Sequence, residues 1–327
     1  MLALIREERM LTSGRSEFQR NLRRTAARAG KWTGSRISIG LHRILGSRAD
    51  GRFGILMYHR VSEHLAGSGI PTWNVTPRRF EQQLDGLLEL GYHCRPLRQL
   101  VQLRRDSGTI PPRTVAITFD DGYQNVYTNA FPVLRARKLP ATVFVASAFI
   151  GTRDPFPFDD WPGCFREDWA PAWLPLTWEQ CREMEQSGWI EIGTHSHTHQ
   201  DFRGRPEILK RDLLISVETI NGALGEAQRA FAFPYGNKRL GFVDSSLIRA
   251  AQEAGVICAL NSEIGLNERE RSQLDWSRIE AVQDDRGPSL AAKLEGWYGW
   301  MDSVRAAFCF LAPFETAGVC PNRGVSR

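Results

Sequence analysis

Val115-Ala116-Ile117-Thr118-Phe119-Asp120-Asp121-Gly122 runs from a short apolar stretch straight into two carboxylates and a glycine. A run of that length, rich in β-branched and aromatic residues, reads as a buried strand, here 115–119. The Asp-Asp-Gly after it reads as the turn that leaves the strand. Six further runs of the same kind lie at 53–58, 142–146, 189–193, 230–233, 256–260 and 279–282. Helical periodicity fits 77–90, 125–137, 177–187, 206–224, 242–254 and 288–305. Thr177 suits an N-cap, and Gly188 follows the end of its helix. Strands alternating with helices predict an α/β fold with a parallel sheet, and seven such strands favour a (β/α) barrel over an open sheet. Barrels of this kind carry their chemistry at the carboxyl ends of the strands. The polar residues fall there: Tyr58-His59 after the first strand, Asp120-Asp121 after the second, His195 after the fourth, Pro234-Tyr235 after the fifth.

Asp-Asp-Gly alone is an ordinary turn, and His195-Ser196-His197-Thr198-His199 alone is compatible with a solvated loop. Placed together at strand ends of one barrel, they point to a site. Adjacent carboxylates at a strand end point in different directions, so one can bind a metal while the other takes a second role. His195 and His199 are four apart, which on a helical turn puts both rings on one side. Two imidazoles, one carboxylate and a position left for water make the catalytic zinc arrangement, in which the ion acidifies water and polarises a carbonyl. The remaining carboxylate would be the general base.

At these residues the sequence resembles the polysaccharide deacetylases of the nodulation-protein-B type, carbohydrate esterase family 4, from about residue 53 to residue 305. The resemblance implies a distorted (β/α)7 barrel. It makes Asp120 the catalytic base and Asp121, His195 and His199 the ligands of a divalent metal, usually Zn2+. It lets Ser196 hold a loop by hydrogen bonding and leaves His197 a bystander. Phe231-Ala232-Phe233-Pro234-Tyr235-Gly236 matches a third motif, in which the Tyr235 N–H helps hold an oxyanion; read by itself it is a strand ending in a turn. Many members have an arginine where Ala232 stands, orienting the aspartate; Arg278 on the last strand is the expected substitute. Many also have a late general-acid histidine, whereas none follows His199 here. His59 closes the first strand on the active face. A family branch acting on exported poly-N-acetylglucosamine has permuted strand order and an N-terminal Tyr-His motif that supplies the acid. His59 is therefore the expected proton donor to the leaving amine, against a histidine that only packs locally.

Composition fits an ordinary globular protein: 42% hydrophobic and 24% charged over 327 residues, formal net charge +5. Residues 1–50 hold 11 Lys+Arg against 4 Asp+Glu, so the remainder is net −2, and a nucleic-acid reading would have to rest on the arm alone. The arm spaces Arg20, Arg23, Arg24, Arg28 and Lys31 among Leu22, Ala26, Ala27 and Trp32. That pattern reads either as a solvated or partly disordered leader or as a basic amphipathic helix touching anionic lipid. Met1 to Ile5 is broken by Arg6, Glu7 and Glu8, which argues against a secretory signal, and no later stretch is long and apolar enough to span a membrane. Cys94, Cys164, Cys181, Cys258, Cys309 and Cys320 show no paired spacing and read as reduced thiols. The expected location is the cytoplasm, at the inner membrane face if the arm binds lipid. An aromatic, Pro-rich insertion, 153–175, holds Trp161, Trp169 and Trp173 and reads either as a flap packed on the barrel or as a loop stacking sugar rings, with Trp161 a candidate substrate contact. The expected organisation is the arm at 1–50, a deacetylase domain at 51–305 and a loose tail at 306–327. The expected activity is removal of N-acetyl groups from an N-acetylglucosamine-containing glycan. The alternatives are an O-acetyl or non-sugar amide substrate on the same fold, or a non-catalytic carbohydrate-binding protein. Oligomeric state is not legible.

Overall fold

The computed structural model describes residues 51–64, 73–106, 110–159, 170–268 and 271–297. The arm, the tail, Trp161 and Trp169 lie outside the described residues. In chain order the strands are β1 (Gly54–Tyr58), β2 (Arg60–Val61), β3 (Asn74–Val75), β4 (His93–Cys94), β5 (Thr114–Phe119), β6 (Ala141–Val145), β7 (Ile190–Thr194), β8 (Phe231–Ala232), β9 (Ala259–Ile264) and β10 (Trp276–Glu280). The helices are α1 (Pro77–Glu89), α2 (Leu97–Asp106), α3 (Phe131–Ala136), α4 (Ala170–Trp173), α5 (Trp178–Gln186), α6 (Pro206–Leu224), α7 (Ser245–Glu253) and α8 (Gly287–Leu294). Seven strands close a parallel ring in the order β1-β10-β9-β8-β7-β6-β5 and back to β1, and β4 adds to the start of β5. The ring is the distorted (β/α) barrel that the sequence predicts.

Side chains alternate across each strand, and the alternation sorts the core. One series (Leu56 and Tyr58, Val115, Ile117 and Phe119, Val143 and Val145) packs outward with Phe80, Leu84 and Leu87 of α1 and Leu290 of α8. The other (Ile55, Ala116, Phe144, Ala230, Ala232, Leu260, Trp276) fills the ring together with Leu97, Leu100 and Val101 of α2, which plugs it. Continuing the inward series by twos leads from Ile55 to His59, from Ala116 to Asp120, from Gly193 to His195 and from Trp276 to Arg278. The interior is therefore apolar below and ionisable at the strands' carboxyl ends.

Several boundaries differ from the sequence reading. The last strand is Trp276–Glu280, not 279–282: buried Ser277 and Arg278 make it look like a loop. β9 likewise extends through Asn261, Ser262 and Glu263. The helix expected at 125–137 opens with a π turn, Val126–Ala130, before α3. α7 starts at Ser245 because Asp244 accepts from the N–H groups of Ser246 (2.8 Å) and Leu247 (2.9 Å). The N-cap at Thr177 is realised as a capping box with Gln180. β2, β3, β4, α2 and α4 were not anticipated. Cys94, Cys181 and Cys258 are free thiols, and burial pushes Cys94 and Cys181 up to about 12. Among the described residues no helix is long and apolar enough to cross a membrane.

α1 and α8 touch backbone to backbone. A Cβ on Gly86 would lie 2.7 Å from the Gly287 Cα, and one on Gly287 2.5 Å from the Gly86 Cα. Gly86→Val should therefore cost about 1–3 kcal/mol through overpacking, whereas Gly222→Ala in α6, with nothing within 4 Å of a new Cβ, should gain about 0.5–1 kcal/mol from helix propensity. Urea midpoints of the two variants check both signs.

Candidate metal centre and active site

The two aspartates after β5 point to different partners. Asp120 accepts from Arg278 Nη1 through Oδ1 at 2.6 Å, and its Oδ2 lies 3.9 Å from His59 Nε2. Asp121 takes a left-handed backbone, φ 72°, which turns its carboxylate to the other side. There its Oδ1 lies 3.4 Å from His195 Nε2 and 3.5 Å from His199 Nε2. All three residues are buried, and their donor atoms lie within 4.8 Å of one another. Metal–ligand bonds of about 2.1 Å in a tetrahedron require neighbouring donors roughly 3.4 Å apart. The set fits a divalent ion.

The convergence of His195 and His199 does not come from a helical turn, as their spacing suggested. The segment after β7 is irregular, with Ser196 at φ 66° and His199 at φ 52°. Non-glycine residues in this region are uncommon and persist only where their surroundings hold them. Here the holding is explicit. Thr194 Oγ1 accepts from the Ser196 N–H (3.1 Å) and Ser196 Oγ from the His199 N–H (2.9 Å). Asp212 of α6, buried, accepts from the N–H groups of His197 (2.5 Å) and Thr198 (3.4 Å) and from Thr198 Oγ1 (2.5 Å). His197 turns away to Ser147 Oγ, 2.9 Å.

His195 Nδ1 donates to the Ala232 carbonyl at 2.8 Å, which leaves Nε2 as the free lone pair facing Asp121. The residue lacking the family's arginine side chain thus serves the site with its backbone. His199 Nδ1 is buried with no partner among the described residues; Phe158 fixes the ring instead, stacked at 3.7 Å. Burial pushes His199 down to about 3, with the charge of His195 adding to it. His195 is also penalised by burial, but Asp120 and Asp121 outweigh this and raise it. Burial likewise lowers His59, against the pull of Asp121 and Asp120. For Asp120 burial acts upward, and the charges of Arg278, His195 and His59 overcome it, so the carboxyl sits below its ordinary range. Asp120 is thereby biased toward the ionised form a base requires and His199 toward the neutral form a ligand requires, whereas the shifts of His195 and His59 run against the ligand and acid roles expected of them.

Arg278 also donates from Nε to the Asn261 carbonyl, 3.0 Å, so it is fixed at both ends of its guanidinium. Tyr235 has φ 62°, and its N–H meets no acceptor among the described residues, while Ser262 Oγ donates to its carbonyl at 2.8 Å. Tyr58 does not enter the site: its ring packs against Phe80 and Phe119, and its hydroxyl donates to Gln83 Oε1 at 3.1 Å. Four features had no signal in the sequence. Asp212 looks like any acidic position of a polar helix. Phe158 comes from the insertion, and Trp73, stacked on His59 at 5.1 Å and 49% exposed, from an irregular connection. Arg60 is buried with Tyr123 and Asp159, donating to the Tyr123 hydroxyl at 2.6 Å and pairing with Asp159. Asp212→Ala should weaken zinc binding by about 10–100-fold by loosening the His195–His199 turn, as measured by calorimetric titration.

Residues 107–259 match the family model described as polysaccharide deacetylase. The poly-beta-1,6-N-acetyl-D-glucosamine N-deacetylase of Staphylococcus epidermidis is 26% identical over 220 residues, which cover 62% of this chain and 69% of that protein. Among solved structures, IcaB from Ammonifex degensii matches with a TM-score of 0.60 at 25% identity, covering 75% of this chain and 97% of that one. The Streptococcus pyogenes deacetylase PplD in complex with acetate matches at TM-score 0.62 and 19% identity over 74% of this chain and 98% of that one, a likeness of fold. Sequence match, relatives and barrel agree in their likeness: the chain resembles a family model, a relative and a solved structure that are polysaccharide deacetylase, N-deacetylase and deacetylase by name.

Proposed function

We propose that the chain is a divalent-metal-dependent N-deacetylase of an N-acetylglucosamine-containing glycan. One observation carries the reading: a buried Asp121–His195–His199 donor set lies beside a second carboxylate, Asp120, that is held by Arg278 and faced by His59. A base, an acid and a ligand set in one pocket are what amide hydrolysis by water demands. The relatives named as poly-beta-1,6-N-acetyl-D-glucosamine N-deacetylases support the substrate class.

Asp121, His195 and His199 would hold the ion, and their two nitrogens and one oxygen suit Zn2+. The ion supplies Lewis acidity, polarising the acetamide carbonyl and acidifying water. Asp120, kept ionised by Arg278, takes the proton of the attacking water. The Tyr235 N–H donates to the oxyanion as the carbonyl becomes tetrahedral. His59 gives its proton to the amine as the C–N bond breaks, so that water and acetamide leave as acetate and a free amino sugar. Trp73 beside His59 offers a face on which a sugar ring can stack. Ser196 acts through the turn that carries His199.

Acetate release from N-acetylglucosamine oligomers should depend on zinc, vanish on chelation, and fall about 10²–10⁴-fold in Asp120→Asn, by the usual size of a lost general base. Zinc bound without acetate release would move the reading to an O-acetyl or non-sugar amide substrate; failure to bind zinc would remove the metal centre. The location carried by the same proposal is the cytoplasm at the inner membrane face, with residues 1–50 as the contact. Fractionation should show the full chain with membranes at low salt and a chain without residues 1–50 released from them.

A further inference from the structure

β1 and β10 are neighbours in the ring, so the connections leaving their carboxyl ends run side by side on the active face. The two connections are tied together. The Thr76 N–H donates to Gln283 Oε1 at 2.9 Å, and Gln283 Nε2 to Thr76 Oγ1 at 3.3 Å. The glycine contact between α1 and α8 brings Arg286, just before α8, against the first turns of α1. Between them lies a cavity of about 310 Å³ lined by Thr76, Arg78, Arg79, Gln82 and Arg286.

Three guanidinium groups line this cavity, and no carboxylate among the described residues does. The chain outside residues 1–50 is net −2, so this is local accumulation and not general basicity. Arg79 Nη1 donates to Gln82 Oε1 at 2.9 Å, but its Nε is buried without a partner among the described residues. Burial first, then the charge of Arg286, hold Arg79 below the ordinary arginine range, and Asp284 opposes without prevailing. Like charges facing each other are destabilising unless an anion completes them. Guanidinium forks match phosphate oxygens two at a time. A polar cavity of this size with three cations fits a multiply charged oxyanion better than a neutral sugar.

The cavity is also linked to the candidate active site by a short stretch of chain. Trp73 stacks on His59, and three residues later Thr76 lines the cavity. Those three residues span at most about 11 Å, within the reach of a short saccharide.

We propose that the Arg78–Arg79–Arg286 cavity is a substrate subsite that binds a phosphoryl or diphosphoryl group carried by the glycan. The inference rests on the glycan deacetylase reading and names a substrate class for it. Two measurements on the full chain test it. The first is calorimetric titration with inorganic pyrophosphate. Arg79→Gln combined with Arg286→Gln should weaken binding at least tenfold, while the charge of residues 1–50 is common to both proteins and cancels. The second compares N-acetylglucosamine oligomers with and without a terminal phosphate. The phosphorylated oligomer should show a KM at least tenfold lower in the parent, the advantage should disappear in the double variant, and kcat should not change. Equal pyrophosphate affinity in the two proteins, or no binding to either, overturns the site. Arginine-dependent pyrophosphate binding with equal KM values for the two oligomers overturns its role as a substrate subsite and leaves a site for free phosphate. If no oligomer is deacetylated, the deacetylase reading fails, while the pyrophosphate titration still decides whether the cavity binds anions.

Discussion

A carboxylate enclosed in a protein must be paired or protonated, and Asp120 is paired. Its partner Arg278 is as deeply buried as it is, and the two approach to 2.6 Å. A pair of this kind gains little over an apolar alternative, but loss of one partner leaves an uncompensated charge at a cost of about 3–5 kcal/mol. The arrangement therefore makes sense as positioning more than as stability. β5, β1 and β10 are consecutive around the ring; β5 and β1 contribute the inward residue just past their carboxyl ends, Asp120 and His59, and β10 contributes Arg278 from its middle. The candidate base, candidate acid and their orienting cation are set by three adjacent strands, and strand geometry places them more firmly than loops could.

The ligand set is assembled differently. Asp121, Ser196 and His199 all have left-handed backbones, as does Tyr235 on the facing turn, and together they are four of the seven such non-glycine residues described. Each costs of order 1–3 kcal/mol in isolation. Asp212, Thr194 and Ser196 offset that cost through hydrogen bonds to the backbone of the same turn. Half of the site is thus held by regular structure, and half by strained turns stitched to α6.

The inward series explains what the sequence could show. Ile55-Leu56-Met57-Tyr58-His59 and Ala116-Ile117-Thr118-Phe119-Asp120 alternate visibly, so the strands and their polar ends were legible, and the motif residues could be matched one by one. β10 was misplaced because its inward residue is an arginine, and only ring closure reveals that Arg278 has a carboxylate to meet. The four-residue spacing of His195 and His199 is shared by helices and by this irregular turn, and local pattern cannot separate them. Asp212 and the pairing of Arg60 with Asp159 join residues far apart in the chain, where only the tertiary structure speaks. The basic cavity was invisible for the same reason: Arg286 meets Arg79 because two glycines let their helices touch.

Closure of the ring at β1 and β10 also imposes an order on synthesis. Leu56 pairs with Ile279, residues near opposite ends of the described chain. A chain emerging from its N-terminus has all three candidate ligand residues in hand once His199 is out, yet Asp120 then lacks its guanidinium and β1 lacks a neighbour on one edge. Such an exposed edge is a template for unwanted pairing. The candidate centre is thus completed by the last strand among the described residues, and a chain cut short before it would expose an open edge as well as lack the Asp120 partner.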